Sequence, residues 1–227
     1  MKIKRITLAV IVIAVIALAG CASGPKATVV EIENKGTSMN ISTPDWIRVY
    51  VSQGVSGLQS RPEYRDRYCI VGEESGVNRQ FVITWADNFS AQQRIGAMLR
   101  TNIESLYQAR VQGDAQSISG SSSSVSFGTY QQEIENSINA VVNVSYSGAQ
   151  READWWSLRR RYDTDIKDAY SDEYTAYVLY TIPKNQLNQQ IADALATSVA
   201  ADSALYDITI EMARQILQNG LADWGAN

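Results

Sequence analysis

The chain contains no histidine among its 227 residues. That absence removes the Ser-His-Asp and Cys-His relays, the imidazole zinc site and the histidine pH switch. Carboxylate, lysine or tyrosine chemistry stays open but loses its commonest helper. Cysteine is nearly as scarce, with only Cys21 and Cys69. No apolar run reaches the roughly 18 residues that a membrane-spanning helix needs; the longest, Ile6 to Ala17, stops short. Phosphate-binding loops, nucleophile elbows and dinucleotide glycine patterns are also missing. Glu73-Glu74 and Asp172-Glu173 are adjacent pairs. On a strand adjacent side chains point to opposite faces, so neither pair forms a carboxylate dyad. These absences leave no catalytic residue, cofactor or metal to assign, and the expectation is a protein that is not an enzyme.

What is present begins with Lys2, Lys4 and Arg5, followed by the apolar run and then Leu18-Ala19-Gly20-Cys21. The charged and apolar regions are those of a secretory signal. The four residues that follow resemble the lipobox of bacterial lipoprotein signals, in which cleavage precedes a diacylated cysteine. The resemblance implies that residues 1–20 are a signal peptide and that Cys21 is the lipidated first residue of the mature protein. Ala22, rather than aspartate, follows the cysteine, which by the same resemblance favours the outer membrane. Loss of residues 1–20 removes three cations and no acid, so the formal charge goes from -4 to -7. That balance argues against nucleic acid or anionic lipid as a partner. With Cys21 consumed by lipid, Cys69 has no intramolecular partner. Its apolar surroundings, Tyr68-Cys69-Ile70-Val71, read first as a strand with a buried inert thiol, and second as a nucleophile or intermolecular bridge.

Residues 21–43, rich in Ser, Gly, Thr, Asn and Lys, read as a lipidated tether with one short strand at most, around Thr28 to Ile32. Residues 44–227 read as a single domain with appended C-terminal helices. Ile47, Val49 and Val51 alternate with polar residues and predict a strand, as do Phe81, Ile83 and Trp85. Ser90 with Gln93 predicts a capping box opening a helix to about Val111, with Ile95, Leu99, Ile103 and Tyr107 on one side. A serine-rich loop at 117–126 leads to a second helix from about Tyr130 carrying Ile134, Ile138 and Val141. Two strands, Gln150 to Trp156 and Glu173 to Ile182, predict an aromatic-rich hairpin whose Trp155, Trp156, Tyr174 and Tyr180 pack structurally. Two C-terminal helices carry stripes Leu187 to Val199 and Leu205 to Leu217, the second free to meet a partner surface within the domain or on another copy. Strands and helices in segregated runs give an α+β class: an antiparallel sheet of three to five strands with long helices packed on one face.

The charged run Arg159 to Asp168 begins like a calcium loop at Asp163 and Asp165. Lys167 then stands at a third-ligand position and Tyr174 at the closing glutamate, so calcium is not expected. Its three arginines read as a solvated hairpin tip or as a hold for an anion.

The order of features resembles the LPP-twenty type bacterial lipoproteins, a group that includes flagellum-associated outer-membrane lipoproteins of the FlgP kind. The resemblance rests on the lipobox, on Pro44-Asp45-Trp46-Ile47 opening the domain, on a strand running into the Ala91 to Val111 helix, and on Tyr177-Val178-Leu179-Tyr180-Thr181-Ile182-Pro183-Lys184 before a helix. The chain departs from that pattern at Trp85-Ala86-Asp87, in the charged insertion near Arg159 to Tyr170 and in its C-terminal helices. The resemblance implies a small α+β domain acting through protein contacts at the envelope, flagellum- or outer-membrane-associated. A periplasmic module binding a small hydrophobic ligand is the alternative.

Overall fold

The computed structural model describes residues 28–118, 127–143, 147–162, 169–203, 205–221 and 224. Four strands, β1 (Val29–Asn34), β2 (Arg67–Gly76), β3 (Gln150–Tyr162) and β4 (Tyr170–Pro183), form one antiparallel sheet in the order β1-β3-β4-β2. The helices are α1 (Asp45–Gln59), α2 (Arg79–Trp85), α3 (Ala91–Ile118), α4 (Phe127–Asn143), α5 (Lys184–Ser198) and α6 (Tyr206–Asn219). A π-helical turn, Ala86–Ser90, joins α2 to α3. The expected α+β class, with an antiparallel sheet and long helices on one face, is the architecture observed.

Alternation along β4 separates two clusters. Tyr177 and Leu179 enter the main core, with Ile70 and Val71 of β2, Leu99, Ile103 and Tyr107 of α3, Ile138 of α4, Ile191 and Leu195 of α5, and Met212 and Ile216 of α6. Ala176 and Val178 enter a smaller cluster with Val82 and Ala86. Since successive side chains on a strand point to opposite faces, the sheet is covered on both sides, thickly on one and by α2 with its π turn on the other.

Two expected strands are helices. Pro44 precedes α1 and Asp45 sits in its first turn, both favourable at a helix start. Trp46, Ile47 and Tyr50 then fall on one helical side and are buried, while Val51 is exposed. The β-branched alternation of Ile47, Val49 and Val51 lost to that aromatic and aliphatic burial. Gly54 breaks the helix at φ 67° and re-aims Val55 and Leu58 onto the core. At α2, the Asn78 side chain caps the first turn by accepting from the Phe81 N–H at 3.0 Å. Val82 and Ala86, four apart, are fully buried. Ser90 is therefore not a cap: it lies within a continuous helical path, and its hydroxyl donates to Glu74 Oε2 at 3.2 Å.

The remaining differences lie at the two ends. The sheet begins at Val29, inside the stretch expected as tether, because β1 pairs with Arg159, Arg160 and Arg161 of β3. Those arginines are thus strand residues rather than loop residues. The Leu205 to Leu217 stripe is not left over: Leu205, Met212 and Ile216 are buried, and only Leu217 faces solvent. Trp224 continues the closure, its ring tilted against Tyr68 at 4.6 Å between centroids and its Nε1 donating to the Cys69 carbonyl at 2.9 Å.

Candidate interaction surfaces

The hairpin aromatics are packed. Trp155 stands opposite Tyr177 in the β3/β4 register, and both are buried. Trp156 lies edge-on to Tyr174, with the Arg79 guanidinium 5.0 Å from its ring centroid. The Tyr180 hydroxyl donates to the Asp87 carboxylate, which also accepts from Arg151 Nε at 3.0 Å. Arg151 reaches Asp154 at 3.2 Å, and Asp154 pairs with Lys35 at 2.6 Å. This chain of charges ties the π turn to β3, β4 and the segment after β1. Burial, helped by the bond to Asp87, pushes the Tyr180 hydroxyl up to about 12.

On the other face Tyr50, Glu73 and Arg94 form a second polar knot. The Tyr50 hydroxyl donates to Glu73 Oε2 at 2.8 Å, and Arg94 donates to Tyr50 at 2.6 Å and to Glu73 at 3.2 Å. Burial dominates the environment and pushes the Tyr50 hydroxyl up to about 12, against the opposing pull of Arg94. A phenol held protonated at neutral pH is a donor and a strut rather than a base. The knot joins α1, β2 and α3.

Cys69 lies fully buried on β2, where burial pushes its thiol up to about 12. The inert-thiol expectation agrees with that setting, since the thiolate is the reactive species. Cys21, and the Asp163 and Asp165 of the calcium comparison, lie outside the described residues. Among the described residues no group of three or more His, Cys, Asp or Glu could hold a metal ion. No helix there is long and apolar enough to cross a membrane.

What composition did not single out is an outward aromatic ladder. Phe81, Trp85 and Phe89 follow one another at four-residue steps along α2 and the π turn. Their rings stack at 5.3 and 4.5 Å between centroids with planes 26° and 25° apart. Phe81 is 53% and Phe89 46% exposed, and Val77, just ahead of the cap, is 85% exposed. Each ring shields its neighbour, worth about 0.5–1.5 kcal/mol per pair. The outer edges still face water. The ladder's base is fixed by Gly72 of β2, where an added Cβ would stand 2.1 Å from the Ala86 carbonyl oxygen. Only glycine lets the turn's backbone lie directly on the sheet. The signal available in the sequence was the 77, 81, 85, 89 spacing together with the capping Asn78, which a period of two through Phe81, Ile83 and Trp85 masked.

No family model, curated protein or solved structure matches the chain. The surfaces therefore have to be read from their own chemistry.

Two further exposed features complete them. Among the described residues strand β1 has a neighbour on one side only, and Val29, Val30 and Ile32 are all exposed on it. A register shift between Glu31 and Glu33 marks a bulge. At the end of the sheet where β1 starts lies a cavity of about 520 Å³ whose lining includes Val29, Val77, Arg159, Arg161, Glu173 and Thr175. Arg160 points the other way, gripping Asp172 through two bonds of 2.7 Å with its guanidinium 3.7 Å from the centre of the Tyr170 ring. Of the three arginines only Arg159 and Arg161 reach this cavity.

Proposed function

We propose that this is a lipid-anchored lipoprotein of the bacterial envelope, held through Cys21, with a non-enzymatic assembly or structural role exerted through protein contacts. The observation that carries the reading is β1. An edge strand offers a row of unpaired backbone N–H and C=O groups, and natural proteins normally shorten, charge or cover such edges. Here the strand is short, bulged and carries Glu31 and Glu33, yet three apolar side chains stay exposed on it. The glutamates oppose pairing with an identical acidic strand, and an extended segment of another envelope protein, apolar or basic, fits them. The resemblance to LPP-twenty type lipoproteins supports an envelope setting and an outer-membrane address. One feature that carried it, a strand before the Ala91 helix, is a helix with a π turn. The small-ligand alternative has less support, because Trp155 and Tyr177 are closed in by their neighbours and the Tyr180 hydroxyl is committed to Asp87.

The test is site-specific photo-cross-linking from position 32 in intact cells, with and without a charge beside it. A defined cross-linked protein is expected from β1 and not from the exposed face of α5, for example Asp193. Val30→Lys should remove the adduct while leaving stability within about 0.5 kcal/mol, as for an exposed site. Adducts of equal intensity from both positions would count against the reading.

A further inference from the structure

We propose that the ladder of Val77, Phe81, Trp85 and Phe89 is the face on which the domain lies against the phospholipid leaflet that holds its own lipid anchor. The inference rests on the reading of Cys21 as lipidated. Only seven residues, 22–28, separate that cysteine from Val29, the first residue of the sheet. Eight Cα steps at about 3.5 Å bound the separation at about 28 Å. A folded domain of about 200 residues has a radius of gyration of about 16 Å, so a tether bounded at about 28 Å keeps the sheet's starting end within reach of the bilayer. Surfaces at that end of the sheet are the ones held nearest the headgroups.

Val77 stands at the same end of the sheet, though at its opposite edge, and the two valines line one cavity. From Val77 the ladder runs along α2 and the π turn. Tryptophan and phenylalanine are the residues that settle at the boundary between headgroups and acyl chains, and an amphipathic helix uses such a face to lie on a membrane. Between Val77 and Phe81 the exposed residues are Asn78, Arg79 and Gln80, and between the rings they are Thr84 and Asn88; Arg79 is the one charged side chain among them, its guanidinium over the Trp156 ring. The one acid in the turn, Asp87, is bonded to Arg151 and Tyr180. Docking therefore strips water from no unpaired carboxylate on the ladder. The mature charge of -7 gives no attraction to acidic lipid, so apolar burial drives the contact and salt leaves it unchanged. A second copy is the competing occupant.

The lipidated full-length protein is reconstituted into vesicles of phosphatidylethanolamine and phosphatidylglycerol that contain dibrominated phosphatidylcholine, a short-range quencher of tryptophan. Trp46, Trp155 and Trp224 are buried, Trp85 sits at the centre of the ladder, and the half-buried Trp156, packed beside α2, is replaced by phenylalanine in every protein compared. The expected result is quenching that is insensitive to salt and largely lost in Trp85→Phe, which keeps a ring in the stack. Phe81→Gln with Phe89→Gln leaves Trp85 in place and should reduce its quenching by loosening the contact. Vesicle-bound protein whose quenching is the same with and without Trp85 would overturn the membrane-facing ladder and leave the anchor reading intact. Trp85 shielded from aqueous acrylamide but not quenched by brominated lipid would also overturn it, in favour of a second copy. Failure of the protein to incorporate fatty acid or to float with vesicles would overturn the anchor reading itself, and this inference with it.

Discussion

On one face of the sheet, residues from α1 and α3 to α6 bury a contiguous core in which Leu179, Ile103, Ile138, Ile191, Leu195 and Ile216 have essentially no exposed surface. On the other, a helix of seven residues and a π turn cover Ala176 and Val178 and leave two phenylalanines about half in water. One strand, β4, serves both faces through alternate residues. The thick face has the contacts to stabilise the fold. The thin face is built with equal care, through the Asn78 cap, the bare backbone of Gly72 and the Asp87 clamp, but what it holds in place points outward. Stacking in the open brings these aromatics only about 0.5–1.5 kcal/mol per pair, less than burying them would, and that is the argument for contact on that side.

Substitutions should break the two faces differently. Leu179→Ala on the thick side is expected to cost about 3–4 kcal/mol, the range for deleting a fully buried leucine, measured as the loss in chemical denaturation free energy. Gly72→Ala, which forces the π turn off the sheet, should cost about 2 kcal/mol and alter the near-ultraviolet signal of the ladder. A Gly72→Ala protein that melts like the parent would show that the turn does not rest on β2. Tyr180→Phe removes the Asp87 bond and should cost about 1 kcal/mol. Trp85→Gln removes two stacks and little burial and should cost about 1–3 kcal/mol. A larger cost than that of Leu179→Ala would invert the comparison.

Alkaline pH probes both faces together. The Cys69 thiol moves from its ordinary 9.0 to about 12 and the Tyr50 and Tyr180 hydroxyls from 10.0 to about 12, all chiefly by burial. Between these values the unfolded chain has released protons that the folded chain keeps, so folding binds protons and stability falls as pH rises. The contribution is complete below about pH 9 and declines from there toward pH 12. A denaturation midpoint that stays level from about pH 8 to about pH 11 would contradict the burial of these groups.

Much of this arrangement was legible from periodicity. The β3/β4 hairpin, the Cys69 strand and the four long helices carry patterns sustained over several turns or pairs, and each pattern survives into the structure. Residues 45–59 and 79–90 did not read correctly because their apolar residues satisfy two periods at once. Ile47, Val49 and Val51 suit a strand by themselves; Trp46 and Tyr50, which decide for the helix, act only once the core is present to bury them. Ser90 and Gln93 offered a plausible helix start, but Asn78 capped twelve residues earlier and the chain stayed helical across the π turn. The ladder was invisible for the same reason, since its spacing has meaning only on a helix. Strand β1 was visible as an apolar cluster, but its pairing with the β3 arginines is long-range and leaves no local mark.

Both proposed roles for the outward surfaces require a protein held at the bilayer, so the anchor is the most direct thing to measure. Cells growing on labelled fatty acid should label the parent protein, and the label should vanish in Cys21→Ala, which is expected to leave the membrane fraction. Label retained on Cys21→Ala would contradict the account at its root.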